Sequence, residues 1–343
     1  MTEKWSENNS LKEILEHSGK EMSLFFPTTL VDFVPEEYRS IPLSQWAEAF
    51  RMPWGLPFPL DDLFISAQLT DKAQELWDWV PLWEKGKLTL NSNDTHSVGL
   101  MVPKCQLEGT CPAVIVCPGG AYENLAFYNE GYKTAKRLEQ AGYRTFVLNY
   151  RYSPNRYPLP QMDLTLAIKH VRANAEQYQI DPENLMILGY SAGGHLCAST
   201  VALRAEVEEK LMEALKDVRP DLAAAYREIS VRPDKVCLCY PVISCLSENH
   251  EQSFQNLSGG DETLREHLSV EQQVDADYPK TFLWTCEDDS LVPPSNAVRM
   301  AKALEANGIA HLLRLYPQGE HGCALAEGTS AEGWVDEMLE FMK

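Results

Sequence analysis

"ENLMILGYSAGGH", residues 183–195, decides how the rest of the chain is read. An apolar run, Leu185 to Leu188, leads into Gly189-Tyr190-Ser191-Ala192-Gly193, and a helix-compatible stretch follows. A serine between two glycines at a strand-to-helix junction is the pattern of a nucleophile elbow. The glycines have a physical purpose in such a turn. The backbone comes too close to leave room for Cβ atoms beside the nucleophile, whose own dihedrals are sterically poor. Gly-x-Ser-x-Gly also occurs in strand-to-helix turns without chemistry, so the surroundings must carry the reading.

From about residue 87 onward, strands alternate with helices. "KLTLN" (87–91) and "SVGLMVP" (97–103) read as an opening antiparallel pair. "CPAVIVC" (111–117) is a continuous apolar run, as in a strand buried on both faces. "YRTFVLNYRY" (143–152), "ENLMILGY" (183–190), "KVCLCYPVIS" (235–244), "KTFLWTCEDD" (280–289) and "AHLLRLYP" (310–317) are the further strands. Amphipathic helical stretches lie between and after them. The expected fold is α/β, a mostly parallel eight-stranded sheet with helices on both faces. Residues 1–86 differ in texture and read as an N-terminal extension, with 87–343 as the main domain. Trp5, Trp46, Trp54, Trp77, Trp79 and Trp83 are six of the eight tryptophans. "SLKEILEHSGK" (10–20) reads as a helix capped by Ser10 and Glu13. "TDKAQELWDWVPLWEKG" (70–86) reads as a second helix that ends before Pro81.

Bulk composition narrows the function classes. Lys plus Arg total 30 against 50 Asp plus Glu, a formal net charge of −20. No basic footprint for nucleic acid is visible. The nine cysteines are scattered without a disulfide framework or a paired C-x-x-C, which argues against a structural metal and fits a reducing compartment. The polar start "MTEKWSENNS" lacks the apolar core of a signal peptide, and no run is long enough to span a membrane. A soluble cytoplasmic protein is expected.

A serine nucleophile needs a base, and the base needs an acid to orient it. In the strand-turn-helix arrangement the order is serine, acid, histidine. His321, in the loop "PQGEHGC" (317–323) after the last strand, is placed to reach back over the sheet. His311 opens that strand, at the wrong end. His250 and His267 precede the penultimate strand, which leaves no acid on a strand end between serine and histidine. His195, one helical turn past Ser191, reads as a packing residue. In "TCEDDSLVPPSN" the acid is Asp289, followed by Val292-Pro293, with Asp288 as the alternative. The oxyanion site needs two backbone N–H donors. One is assigned to Ala192 and the other to "PGGAY" (118–122), among Gly119, Gly120 and Ala121, with Gly120 and Ala121 foremost and not separable. Tyr122, Tyr190 and Trp54 are candidates for the substrate pocket. The aromatics Trp46, Trp54 and Phe58 read either as packing or as a lid that touches sugar rings, and an arm in a homo-oligomer is a third reading.

"CPGGAY", "YRYSPNRYPLPQMDLTLAIKHVRAN", "GYSAGGHLCAS", "YPVIS", "EDDSLVP" and "GEHG" occur in an order and spacing that resembles the serine esterases of the α/β-hydrolase superfamily. The branch they resemble is the acetyl-esterase and acetylxylan-esterase-like one, over about residues 87–343. "PGGAY" departs from the His-Gly-Gly opening of the hormone-sensitive-lipase-like branch. The resemblance implies hydrolysis of short-chain acyl esters, acetyl above all, on a small-molecule ester or acetylated oligosaccharide. It implies no metal and no organic cofactor. Rival readings are an arylformamidase-like amide hydrolase, a peptidase, and a non-catalytic binding protein on a hydrolase scaffold.

Overall fold

Cys111–Cys117 carries β-branched residues at Val114, Ile115 and Val116, which favour a pleated, buried backbone. Successive side chains along a strand point to opposite faces, so such a run needs cover on both. The computed structural model, which describes residues 4–18, 31, 33–52, 58–83, 98–105, 107 and 109–343, supplies that cover. Ala113, Ile115 and Cys117 enter one core with Phe146, Leu148 and Ile187. Val114 and Val116 enter the other with Val147, Met186 and Leu188. Helices Leu159–Ala173, Ser191–Ala202, Arg204–Val218 and Ser295–Ala306 contribute to the first core. Helices Lys133–Gln140 and Trp334–Met342 close the second through Ala135, Leu138, Trp334 and Met338.

Among the described residues the sheet has eight strands: β1 (Trp77–Pro81), β2 (Gly99–Pro103), β3 (Cys111–Cys117), β4 (Arg144–Asn149), β5 (Ile180–Tyr190), β6 (Lys235–Cys239), β7 (Lys280–Cys286) and β8 (His311–Tyr316). Their spatial order is β1-β2-β4-β3-β5-β6-β7-β8. The pairs β1–β2 and β2–β4 are antiparallel, and the other five are parallel. The chain steps from β3 to β4 on one side and then crosses to β5 on the other. The winding therefore reverses between β3 and β5, and open α/β sheets bind ligands at the carboxyl ends of strands at such a switch point.

The stretch 70–86 corrects the expectation of one helix. The helix Leu60–Asp71 stops, a single turn spans Ala73–Leu76, and Trp77–Pro81 is the edge strand β1. Trp77 packs into one core while Val80 and Leu82 pack against the other, an alternation that a strand supplies and a helix would not. Pro81 lies at the end of this edge strand, where a missing N–H costs little. "KLTLN" lies outside the described residues. Ser10 caps helix Leu11–Ser18 as expected: the Glu13 N–H donates to Ser10 Oγ at 3.2 Å and the Ser10 N–H to Glu13 Oε2 at 2.9 Å. Trp5, Leu11, Ile14, Trp46, Phe58 and Leu63 form a small core of their own. No helix among the described residues is long and apolar enough to cross a membrane.

His195 locks the Ser191–Ala202 helix to two loops. Its Nε2 lies 2.9 Å from the Leu268 carbonyl, which can only accept, so Nδ1 is left to accept the Tyr122 hydroxyl at 3.0 Å. Burial holds its pKa down at about 4, against the weaker pull of the Leu268 carbonyl. The unfolded chain, with a histidine pKa near 6.5, therefore takes up this proton first as pH falls. The stability linked to His195 is complete above about pH 6.5 and is lost by about pH 4, a change of about 3 kcal/mol. Denaturant unfolding at pH 7 and pH 4.5 should show this loss, and His195→Gln should remove that part of the pH slope. An identical slope in the variant would exclude His195 as its origin.

Candidate active site

Ser191 is the first residue of its helix and adopts φ +51°, a left-handed backbone that non-glycine residues rarely take. The crowding predicted for the elbow is present. A Cβ on Gly189 would sit 2.1 Å from the Gly193 carbonyl oxygen, and one on Gly193 would sit 2.2 Å from that of Cys117. Ser191 thus stands at the carboxyl end of β5, at the switch point.

His321 is carried by the loop after β8. Its Nε2 lies 2.9 Å from Ser191 Oγ, and its Nδ1 lies 2.7 Å from Asp289 Oδ2. A carboxylate accepts, so Nδ1 holds the proton facing Asp289 and Nε2 is free to accept the serine proton. Asp289 is buried, and its Oδ1 accepts the N–H groups of Leu291 (3.0 Å) and Val292 (2.9 Å). These two bonds fix the carboxylate before the histidine adds a third. Asp288 is turned elsewhere: it accepts the N–H groups of Gly319 and Glu320 and so shapes the histidine loop. The three side chains expected to work together are brought together, and Asp289 rather than Asp288 faces the imidazole.

The loop after β3 divides the oxyanion candidates. The Gly119 N–H donates to Glu130 Oε2 at 2.6 Å, so it cannot face a substrate oxygen, which corrects its inclusion. Among the described residues the N–H groups of Gly120, Ala121 and Ala192 have no hydrogen-bond partner. Gly120 takes φ +128° and Ala121 φ +55°, and Asn256 Nδ2 holds the Ala121 carbonyl at 2.9 Å. Gly120 and Ala121 both remain as partners for Ala192.

Two pocket expectations are corrected. Tyr122, at φ +55°, folds its side chain inward, where its hydroxyl meets His195 and its ring meets Tyr150. Tyr190 is fully buried in the opposite core, with its hydroxyl 2.7 Å from Thr134 Oγ1 and its ring against Tyr240 and Trp334. Neither ring forms a wall of an open pocket, because the turn and the strand alternation direct both into cores. Trp54 lies outside the described residues. Trp46 and Phe58 pack edge to face with ring centroids 5.4 Å apart, inside the small N-terminal core.

Two residues near the centre, Tyr240 and Glu130, escaped the sequence reading, and a third, His250, was set aside there as a base. Tyr240, just past β6, sets its ring 4.9 Å from that of His321 in a T-shaped contact. Glu130 holds Gly119. His250 is half-buried close enough to feel the charges of His321 and Asp289, and its Nδ1 lies 2.8 Å from Ser253 Oγ. Tyr240 belongs to the quoted stretch "YPVIS", which marked the place but not the role. Among the described residues no group of three or more His, Cys, Asp or Glu is placed to hold a metal. The arrangement is that of a base-activated hydroxyl next to free amide donors.

Comparison with known proteins agrees with this geometry. The BD-FAE family model matches residues 100–304, more than half of the chain. The chain is 34% identical over 227 residues to "Endo-1,4-beta-xylanase B" of Butyrivibrio fibrisolvens and 30% identical over 245 residues to "Acetylxylan esterase" of Xylanibacter ruminicola. These matches cover 64% and 69% of this chain but 34% and 46% of those proteins, so the chain spans a third to a half of their length. The crystal structure of an acetyl ester-xyloside bifunctional hydrolase from Caldicellulosiruptor lactoaceticus superposes with a TM-score of 0.67 at 31% identity, over 78% of this chain and 97% of that one. A carboxylesterase from Lactobacillus plantarum, 22% identical with a TM-score of 0.59 over 78% of this chain and 96% of that one, shares the fold. With the sheet, the elbow and the matched family in agreement, the chain has the α/β-hydrolase fold and belongs to the BD-FAE family.

Proposed function

We propose that the protein is a serine carboxylic-ester hydrolase for short-chain acyl esters, with acetyl groups on xylo-oligosaccharides as the substrate class. The observation that carries this reading is the hydrogen-bonded series from Ser191 Oγ through His321 to Asp289, at 2.9 and 2.7 Å. In the proposed reaction Ser191 Oγ attacks the ester carbonyl carbon while His321 Nε2 takes the hydroxyl proton. The N–H of Ala192 and that of Gly120 or Ala121 receive the charge that develops on the carbonyl oxygen. His321 then gives its proton to the departing alcohol. A water deprotonated by the same nitrogen attacks the acyl-serine carbon, and as the bond to Ser191 Oγ breaks His321 returns the proton to that oxygen and the acid leaves. Asp289 keeps the imidazole in the required tautomer and balances the imidazolium.

The relatives named above, an acetylxylan esterase and an acetyl ester-xyloside bifunctional hydrolase, support an acetyl group on a sugar as the substrate class.

Ser191→Ala should abolish hydrolysis of p-nitrophenyl acetate and labelling by a fluorophosphonate probe while the folded near-ultraviolet spectrum persists. Retained turnover in pure variant would overturn the mechanism. Asp289→Asn should lower kcat by about 10⁴-fold, the loss typical when the histidine tautomer is no longer held. Asp288→Asn should cost about tenfold or less, because it loosens a loop and leaves the ring's partner in place. The reverse ranking in steady-state kinetics would assign the acid to Asp288. Acetylated xylo-oligosaccharides should be turned over with a higher kcat/KM than p-nitrophenyl octanoate or peptide anilides. Preference for the anilides would move the activity to amide bonds.

A further inference from the structure

Glu130 is a buried carboxyl group in a π turn, Phe127–Tyr132, and π turns concentrate at functional sites. It lies outside the serine-histidine-aspartate series, yet two backbone segments of the reaction centre converge on it. On one side its Oε2 accepts the Gly119 N–H at 2.6 Å, and the Gly119 carbonyl in turn accepts the Ala126 N–H at 2.9 Å. Both backbone polar groups of Gly119, the residue just before the free N–H donors, are thereby held by one short segment. Gly119 is also pressed on the elbow: a Cβ there would come within 2.9 Å of Ser191 Cβ. On the other side Glu130 Oε1 accepts the Tyr240 hydroxyl at 2.8 Å. The Tyr240 oxygen accepts the Ala324 N–H at 3.1 Å, in the loop that carries His321, and the Tyr240 ring lies edge-on to the imidazole.

Both of these partners donate to Glu130. An amide side chain offers one acceptor oxygen and one NH₂ group, so when its oxygen keeps the Gly119 N–H it must reverse the bond to Tyr240, whose hydroxyl proton then loses this acceptor. A protonated carboxyl reverses the same bond. A carboxylate accepts from both. Burial raises the Glu130 pKa and outweighs the Gly119 N–H, the Tyr240 hydroxyl and the nearby His321 charge, which pull it down. A leucine or methionine would fill this place at lower desolvation cost, so packing does not account for the carboxyl group.

We propose that Glu130 is a positioning residue for the reaction: one buried carboxyl group sets the loop of oxyanion donors through Gly119 and the His321 loop through Tyr240. The inference rests on the serine hydrolase mechanism proposed above. Binding of the ester in the ground state does not depend on it, whereas alignment of the N–H donors with the oxyanion does.

The test uses the full-length protein and p-nitrophenyl acetate. Glu130→Gln should lower kcat by about 30-fold with KM within about twofold, less than deletion of an oxyanion donor because the donors are misaligned and not lost. Tyr240→Phe keeps the ring and removes the hydroxyl, and should lower kcat by about tenfold. The two losses should not multiply in Glu130→Gln/Tyr240→Phe, since both cut the same chain of bonds. A structural role alone would lower the melting temperature and leave kcat per folded molecule unchanged. Glu130→Gln with kcat within about twofold of wild type would overturn the proposal. Should Glu130→Gln not fold, Tyr240→Phe decides alone, and an unchanged kcat overturns it. Undiminished turnover in Ser191→Ala would instead overturn the serine mechanism, and this inference with it.

Discussion

The tight crossing of the elbow over the end of β3 sets the geometry of the rest of the centre. The first turn of the Ser191–Ala202 helix lies so close to Cys117 and Pro118 that no Cβ fits at Gly193, and so close to its own strand that none fits at Gly189. That contact fixes how far the serine stands from the loop that starts at Pro118. Ser191 itself is held at φ +51°, a strain of about 1 to 3 kcal/mol for a non-glycine residue. The packed surroundings offset it, including the bond from the Val242 N–H to the Ser191 carbonyl at 3.1 Å. The glycines are there for contact, not for mobility. A serine in a relaxed turn would stand away from both the donors and the histidine.

The histidine side depends on a second register. β7 and β8 pair in parallel with Cys286 opposite Tyr316, so the acid loop and the histidine loop leave the sheet at one level. The Glu287 N–H donates to the Tyr316 carbonyl at 2.7 Å and continues the pairing one step past the strand. The next two residues then divide the work. Asp288 gathers the amides of Gly319 and Glu320, and Asp289 gathers those of Leu291 and Val292 before it meets the imidazole. One carboxylate holds the loop and the other holds the ring. A change at either reaches His321, but through different atoms.

Local pattern carried much of this architecture into the sequence. Strands such as Cys111–Cys117 are legible because burial on both faces demands an unbroken apolar run. The elbow is legible because its contacts demand glycine at two fixed offsets. Asp289 and His321 are legible from their place after the last two strands. What escaped depends on partners distant in sequence. Trp77–Pro81 reads as helix until β2 is there to pair with it. Gly119 looks like an oxyanion donor until Glu130, eleven positions on, takes its N–H. The directions of Tyr122 and Tyr190 are set by a left-handed turn and by strand alternation, and residue type alone carries neither.

The N-terminal aromatics show the same limit from the other direction. Aromatic density suits sugar stacking, but it equally suits a core with few residues to build it from. Trp46 sits among Tyr38, Phe50 and Phe58, with ring centroids 5.4 to 5.9 Å apart. The two ends of the segment are joined at Asp71, which accepts from Lys4 at 3.0 Å and from the Trp5 indole at 3.1 Å. These rings have their faces and edges taken by one another. The stretch that does reach the candidate site follows β6: Tyr240 lies against His321, and Asn256 holds the Ala121 carbonyl. Among the described residues the N-terminal rings thus build a core of their own, and the polar loop after β6, with Tyr240 at its root, borders the candidate site.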